Sequence, residues 1–301
     1  MPKSPKTIQE QIDLLKSRNM AFHDEANAPH FLANISYYRL KGYWWEMQED
    51  KVNHHFADGS YFEDVIDLYN FDRHFRLIVF NAIERIEIAL RTKMIYHLSL
   101  THGAEWYLNS QLFPNKKYFS DFQSKIHSEL SDSSEEFIVK HYENHPNDNP
   151  ESWKALEVLT LGSLSKLYRN LNHQLPEKNQ IAKEFGLYNQ KYLSSWLITI
   201  TLVRNIIAHH GRLWNRVIIN KYDWPDKSIA PILSYIPDNY QRRKVFPILS
   251  AILYLNNFIS PGHLIKTELL SLFEEFRQVP LYKMGFPKGW EKQPIWKNEI
   301  I

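Results

Sequence analysis

Residues 62–100 read FEDVIDLYNFDRHFRLIVFNAIERIEIALRTKMIYHLSL, thirty-nine positions without a glycine or a proline. Val65, Leu68, Phe75, Ile78, Val79, Ala82, Ile83, Ile86, Ala89 and Leu90 recur at steps of three and four. That is the period of a helix with one buried face, and the run is long enough to set the architecture. The other face carries Glu84, Arg85, Glu87 and Arg91, with Glu87 and Arg91 at the spacing where opposite charges on a helix meet.

The segments on either side follow the same pattern. Thr7 and Glu10 have capping-box spacing and open a short helix with Ile8, Ile12 and Leu15 on one face. Residues 31–47 are dense in aromatics, and Asp58-Gly59-Ser60 marks a turn. Downstream, the pattern weakens over 103–150, then helical periodicity returns at 153–170 and 188–208. Pro225, Pro231 and Pro237 mark an irregular connection, and helices follow at 245–259 and 264–277. The tail over 280–296 is irregular, rich in Pro, Gly and aromatics, and expected to pack against the body. The expected fold is all-α with additional N-terminal helices. It is expected to form a single helical domain over 1–301, with a candidate N-terminal subregion 1–60 and a core over about 61–277.

Bulk composition narrows the function classes. The chain has no Cys, which removes disulfides, thiolate metal sites and cysteine nucleophiles together. Net charge is only +2, so any nucleic-acid surface must be local rather than a global basic field. No apolar h-region follows the charged N-terminus, and no apolar window is long enough to span a bilayer. A soluble, cytoplasmic protein is the expectation, with no membrane partner.

The candidate chemistry sits in Arg204-Asn205-Ile206-Ile207-Ala208-His209-His210-Gly211-Arg212. Trp196, Leu197, Ile200, Val203 and Ile207 give the preceding helix a buried face, and Gly211 suits the residue just past a helix end. A guanidinium, an amide and an imidazole are thus expected where a helix meets the surface. Those groups suffice to cleave RNA without a metal or a cofactor. The substrate's 2′-hydroxyl attacks the adjacent phosphorus, the imidazole moves the proton, and the guanidinium matches the charge growing on the phosphate oxygens. Arg204 and His209 are the principal candidates, and Asn205 is read as orienting the imidazole or bonding the phosphate. His210 is a second candidate acid/base or a substrate contact, and Arg212 either holds phosphate or caps the helix. Spacing alone is weak: thirteen Arg and fourteen His in 301 residues give about 0.6 chance matches to Arg-x4-His.

Specificity comes from a resemblance. Residues 202–215 resemble the signature of the Abi-like abortive-infection proteins, placed in the HEPN superfamily. Tyr37-Tyr38-Arg39-Leu40-Lys41-Gly42-Tyr43-Trp44 is similar to that family's N-terminal block, with Lys41 replacing a small residue. Residues 69–76 and 84–91 are similar to its long-helix block, and Met284-Gly285-Phe286-Pro287 with Trp290 and Trp296 resembles its ending. The resemblance implies a HEPN-type helical bundle and a ribonuclease of an anti-phage or toxin-type system. It also implies a homodimer that pairs Arg204, Asn205 and His209 from two copies, restrained by a regulatory RNA or a protein antitoxin. The alternative is a non-catalytic RNA- or protein-binding module.

Other clusters are weaker. Arg91 and His97 have Arg-x5-His spacing, that of Arg204 and His210, but Arg91 can pair with Glu87 instead. His141-Tyr142-Glu143-Asn144-His145 would turn its carboxylate away from both imidazoles on a helix, so no metal site is expected there. His54-His55 reads as a solvated turn. Arg39 and Lys41 are candidate RNA contacts among aromatics suited to base stacking, or else the basic edge of a core-packing helix. Arg242-Arg243-Lys244 could meet phosphates or solvate a face.

Overall fold

The computed structural model describes residues 4–297. Among them twelve α-helices carry the fold, and one two-stranded hairpin is the only sheet. The described residues form two compact units, and the division falls between Leu77 and Ile78, inside the long helix.

The first unit holds residues up to Leu77 together with Leu270–Val279. Its helices are α1 (Ile8–Lys16), α2 (Ala28–Ile35), α3 (Tyr37–Trp44) and the start of α4 (Phe62–His102). The capping box opens α1 as the sequence predicts: Glu10 N–H donates to Thr7 Oγ1 at 3.2 Å and Thr7 N–H to Glu10 Oε2 at 2.6 Å. The hairpin pairs β1 (Gln48–Asp50) with β2 (His55–Phe56), a small exception to the all-helical expectation. Phe71 and Phe75 pack with Phe273. Beside them lies a buried polar triad. Tyr43 Oη donates to Asp72 Oδ2 at 2.8 Å, and Arg76 Nε donates to the same oxygen at 3.1 Å. Asp72 is fully buried and Arg76 nearly so. Two of the resemblance blocks, around Tyr43 and around Asp72–Arg76, therefore meet as one charge-neutral core cluster.

The second unit holds Ile78–Leu269 and the described residues from Pro280. It contains the remainder of α4, then α5 (Lys116–Ser131), α6 (Glu136–Asn144), α7 (Ser152–Ala155), α8 (Leu161–Asn170), α9 (Pro176–Glu184) and α10 (Gln190–Ala208). Next come α11 (Val245–Ile259) and α12 (Ile265–Glu275), which crosses back at Leu270. Helix α11 is buried along nearly its whole length, and Asn256 Nδ2 within it donates to the Ala82 carbonyl of α4 at 3.1 Å. The tail packs as expected: Phe246, Phe286 and Trp296 cluster, and Trp296 Nε1 donates to Ser250 Oγ at 2.9 Å.

One predicted helix is two. The stretch 153–170 divides into α7 and α8, because Thr160 takes an extended backbone (ψ 161°) and restarts the helix as its N-cap. Helices α5 and α6 arise where the sequence pattern is weak, and α9 arises between the predicted helices 153–170 and 188–208. No helix among the described residues is long and apolar enough to cross a membrane.

Candidate functional site

Helix α10 begins at Asn189, whose side chain accepts from Lys191 N–H at 2.8 Å. Its inward face is the one the sequence marks: Trp196, Leu197, Ile200, Val203 and Ile207 are all buried. The irregular chain that follows is sewn back along the helix. Trp196 Nε1 donates to the Asp223 carbonyl, and Asp223 N–H donates to Ser195 Oγ, each at 2.8 Å. The helix is therefore held through its buried face and, at Ser195 and Trp196, by the returning chain.

The end itself is a Schellman arrangement, with Gly211 N–H donating to the Ile206 carbonyl at 2.7 Å and His210 N–H to the Ile207 carbonyl at 2.9 Å. The left-handed residue in it is His210, at φ 56°, and not the glycine. That corrects the sequence reading of Gly211. A Cβ on Gly211 would sit 3.0 Å from the Ile206 oxygen and 3.1 Å from Ile206 Cγ2, so glycine is needed for close approach. A branched-ring residue held at positive φ costs on the order of 1 kcal/mol relative to glycine, and such strain gathers at functional sites.

Arg204 is half-buried, whereas Asn205, His209 and His210 are exposed. Among the described residues, the side chains of Arg204, Asn205 and His209 have no hydrogen-bond or ion-pair partner. Asn205 and His209 stand one turn apart, and His209 N–H donates to the Asn205 carbonyl at 3.1 Å. Arg212 lies over the ring of buried Trp214 at 5.7 Å, and Lys283 from the tail lies 5.9 Å from the same ring. Lys283 is a cation beside the motif that sequence reasoning did not find, because only the folded tail brings it there.

A cavity of about 520 Å³ adjoins the motif between α5, α8 and α10, with Asn205 in its wall. Tyr118, Phe122 and Lys125 face it from α5, and Ser165, Lys166 and Arg169 from α8. Asn115 fastens the two walls: its N–H donates to Asn170 Oδ1 at 3.2 Å and its carbonyl accepts from Asn170 Nδ2 at 3.0 Å. These residues went unread in the sequence, although Asn115 is a detectable N-cap for α5.

The remaining candidates sort into structural roles. Arg91 donates to Glu157 at 3.1 Å and to the Leu159 carbonyl at 2.9 Å, and lies 3.5 Å from Glu87. His97 is bonded to Glu184 at 2.8 Å. Both groups of that second Arg/His pair are therefore engaged in joining helices. His141 is bonded to the Asp148 carbonyl at 3.2 Å, and no group of three or more His, Asp or Glu among the described residues is arranged to hold a metal. His55 pairs with Glu49 at 3.2 Å beside the hairpin turn. In α3, Tyr43 and Trp44 are buried while Tyr38 is 85% exposed, so the segment is a core helix with an open edge. Arg39 is on that exposed edge, and Lys41 Nζ lies 5.9 Å from the Trp45 ring. Arg242 is tied to the Tyr222 carbonyl at 2.8 Å, so this part of the basic triplet braces the irregular chain.

The fold and the site together define a helical protein with an Arg-Asn-His set at a helix end, its side chains without partners among the described residues. The family model for Abi-like proteins matches residues 30–215, more than half of the chain, and the chain belongs to that family. The match ends at the last residue of the motif segment, so the tail block lies outside it. No curated protein and no solved structure matches the chain.

Proposed function

We propose that this protein is a metal-independent RNA endonuclease of the HEPN type, serving abortive-infection defence, as the family's description suggests. The observation that carries the reading is the state of Arg204, Asn205 and His209. A buried or half-buried arginine ordinarily finds a carboxylate or carbonyl, as Arg76 and Arg91 do here. Arg204 instead keeps its donors for something outside the chain, next to an exposed imidazole and amide. His209 removes the 2′-hydroxyl proton or protonates the departing 5′-oxygen, and Arg204 neutralises the phosphate oxygens as charge grows on them. Asn205 bonds the phosphate or holds the imidazole, and His210 and Arg212 supply further substrate contacts. The active form is a homodimer that brings two such sets to one RNA strand, restrained in the cell by an antitoxin protein or RNA. Arg39 and Lys41, at the open edge of α3, give the strand additional contacts.

The test is cleavage of mixed single-stranded RNA in EDTA, with products assayed for 2′,3′-cyclic phosphate ends and the mass measured by light scattering. Cyclic ends from the wild type, lost in Arg204→Ala and His209→Ala variants that melt normally, support the reading. Cleavage that survives both substitutions or needs Mg²⁺ overturns it. RNA binding without cleavage assigns the chain to the binding-module class.

A further inference from the structure

We infer that the cavity between α5, α8 and α10 is a nucleotide subsite, taking one unpaired nucleotide of the RNA strand whose neighbouring phosphate lies at the Arg-Asn-His set. This inference rests on the ribonuclease reading for its substrate class, but its evidence is separate. The cavity volume of about 520 Å³ lies within the range of small-ligand sites. Its lining also has the mixture that a base and its phosphate need. Tyr118 and Phe122 offer ring faces, and Tyr118 is 47% exposed rather than packed away. Base stacking on such rings is tolerant of sequence.

The polar groups complete the match. Lys125, Lys166 and Arg169 set three cations around the opening against the single carboxylate of Asp121. Arg169 lies over the Tyr118 ring at 5.6 Å, so a guanidinium and an aromatic ring stand together in the lining. Deeper in, Ser163 and Ser165 are buried residues of the lining, and the Ser165 hydroxyl has no hydrogen-bond partner among the described residues. A hydroxyl that keeps accessible surface on an otherwise buried residue is available to a ligand's polar edge. Asn205 belongs to both places: it lines the cavity and stands one turn before His209. An RNA strand crossing Asn205 would set one nucleotide in the cavity and the next linkage beside His209.

The walls are built to hold this shape. The Asn115–Asn170 pair joins the start of α5 to the end of α8. Lys178 Nζ donates to the carbonyls of Arg169 at 2.9 Å and Leu171 at 2.7 Å, which caps the end of α8 next to the phosphate-facing arginine.

The experiment uses the full chain carrying His209→Ala, so that RNA stays intact during titration. Calorimetry is run with each of the four nucleoside 5′-monophosphates and with a six-nucleotide single-stranded RNA. At least one mononucleotide is expected to bind at a single saturable site, with the hexamer binding more tightly and displacing it. Tyr118→Ala is expected to weaken both about tenfold, the scale of one stacking contact. The exposed pair Lys125→Glu and Lys166→Glu is expected to weaken both at least as much, more so at low salt. In the chain with native His209, the same substitutions raise KM for RNA cleavage while kcat holds. Failure of all four mononucleotides to bind, binding indifferent to these substitutions, or a mononucleotide that the hexamer does not displace overturns the inference. Weakened nucleotide binding in a protein that cleaves no RNA keeps the subsite and overturns the ribonuclease. Cleavage with KM unmoved by the substitutions keeps the ribonuclease and overturns the subsite.

Discussion

The N–H of His209 donates to the carbonyl of Asn205 at 3.1 Å, closing the last turn of α10 and stacking the two side chains one turn apart on an exposed face. The imidazole thus inherits the rigidity of a helix whose other face is buried through Trp196, Ile200 and Val203. Catalytic groups need positioning to fractions of an ångström, and a packed helix end supplies that better than a loop. Just beyond the helix, the buried Trp214 ring has Arg212 at 5.7 Å and Lys283 at 5.9 Å from its centre.

Among the described residues, the Arg204 and His209 side chains have no partner to lose, so their removal is expected to cost activity and not stability. His209→Ala should lower kcat for RNA cleavage by about 10² to 10⁴, the range of one general acid–base group. Arg204→Ala should fall in a similar range, because it removes the charge match made in the transition state. Asn205→Ala should cost less in kcat and more in KM, since Asn205 also lines the cavity. Steady-state kinetics beside thermal melts decide this, and a melting temperature that drops with activity would contradict it.

His210 and His209 are adjacent but differently built, which lets one substitution tell them apart. His210 occupies the left-handed region at φ 56°, where glycine is free of the Cβ clash. His210→Gly is expected to stabilise the fold by about 1 kcal/mol, read as a rise in denaturation midpoint. Cleavage should fall far less than in His209→Ala. A His210→Gly protein as inactive as His209→Ala would move the acid/base role to His210.

How much of this was legible depended on what each residue packs against. Helix α11 matches the predicted span because its apolar side chains are contiguous in sequence and buried together. Helix α5 did not show itself, because its apolar residues Phe119, Phe122, Ile126 and Leu130, although at helical steps, are few and set among polar residues, and only Ile126 and Leu130 are buried. The cavity wall it provides was lost with it. The motif residues were readable from local order, since all of them lie on one helix end. Their lack of partners was not, because whether Arg204 meets a carboxylate is decided by distant segments. The same holds for Arg91, whose Glu157 partner is 66 positions away. Lys283 reaches Trp214 only after the tail folds back.

The buried triad in the first unit makes a stability prediction. Arg76 is the charge opposite Asp72, which is 0% exposed, and Tyr43 donates to the same carboxylate oxygen. Burial and the adjacent carboxylate both push the Tyr43 hydroxyl well above its ordinary range, so it stays a donor. Arg76→Ala leaves the buried carboxylate without its opposite charge, and a loss of about 3 kcal/mol is expected from urea unfolding. Arg76→Ala with Asp72→Asn should recover a good part of that. Equal losses for the single and double variants would mean that packing, not the stranded charge, sets the cost.

Lys178 sets a pH dependence with a definite sign. Its side chain is almost fully buried, and burial first, with the nearby Arg169 charge second, pulls its pKa from 10.5 down to about 8. Below pH 8 both folded and unfolded chains hold the proton, so the fold carries the whole cost of a buried ammonium. From about 8 towards 10.5 the folded chain sheds the proton while the unfolded chain keeps it. The unfolded state then binds more protons, and stability rises with pH by at most about 1.4 kcal/mol per unit. Buried tyrosines, Tyr43, Tyr168 and Tyr222 among them, titrate in the opposite sense as pH nears 10, so the window to read is pH 8 to about 9.5. Lys178→Met keeps the apolar stem and removes the titration. Its unfolding free energy at a given pH combines two opposed changes, relief of the buried charge and loss of the donor to the Arg169 and Leu171 carbonyls. Its slope across the window, however, should be flatter than that of the wild type. Urea unfolding at pH 8 and 9.5 measures both quantities, and parallel slopes in the two proteins would show that Lys178 keeps its proton throughout.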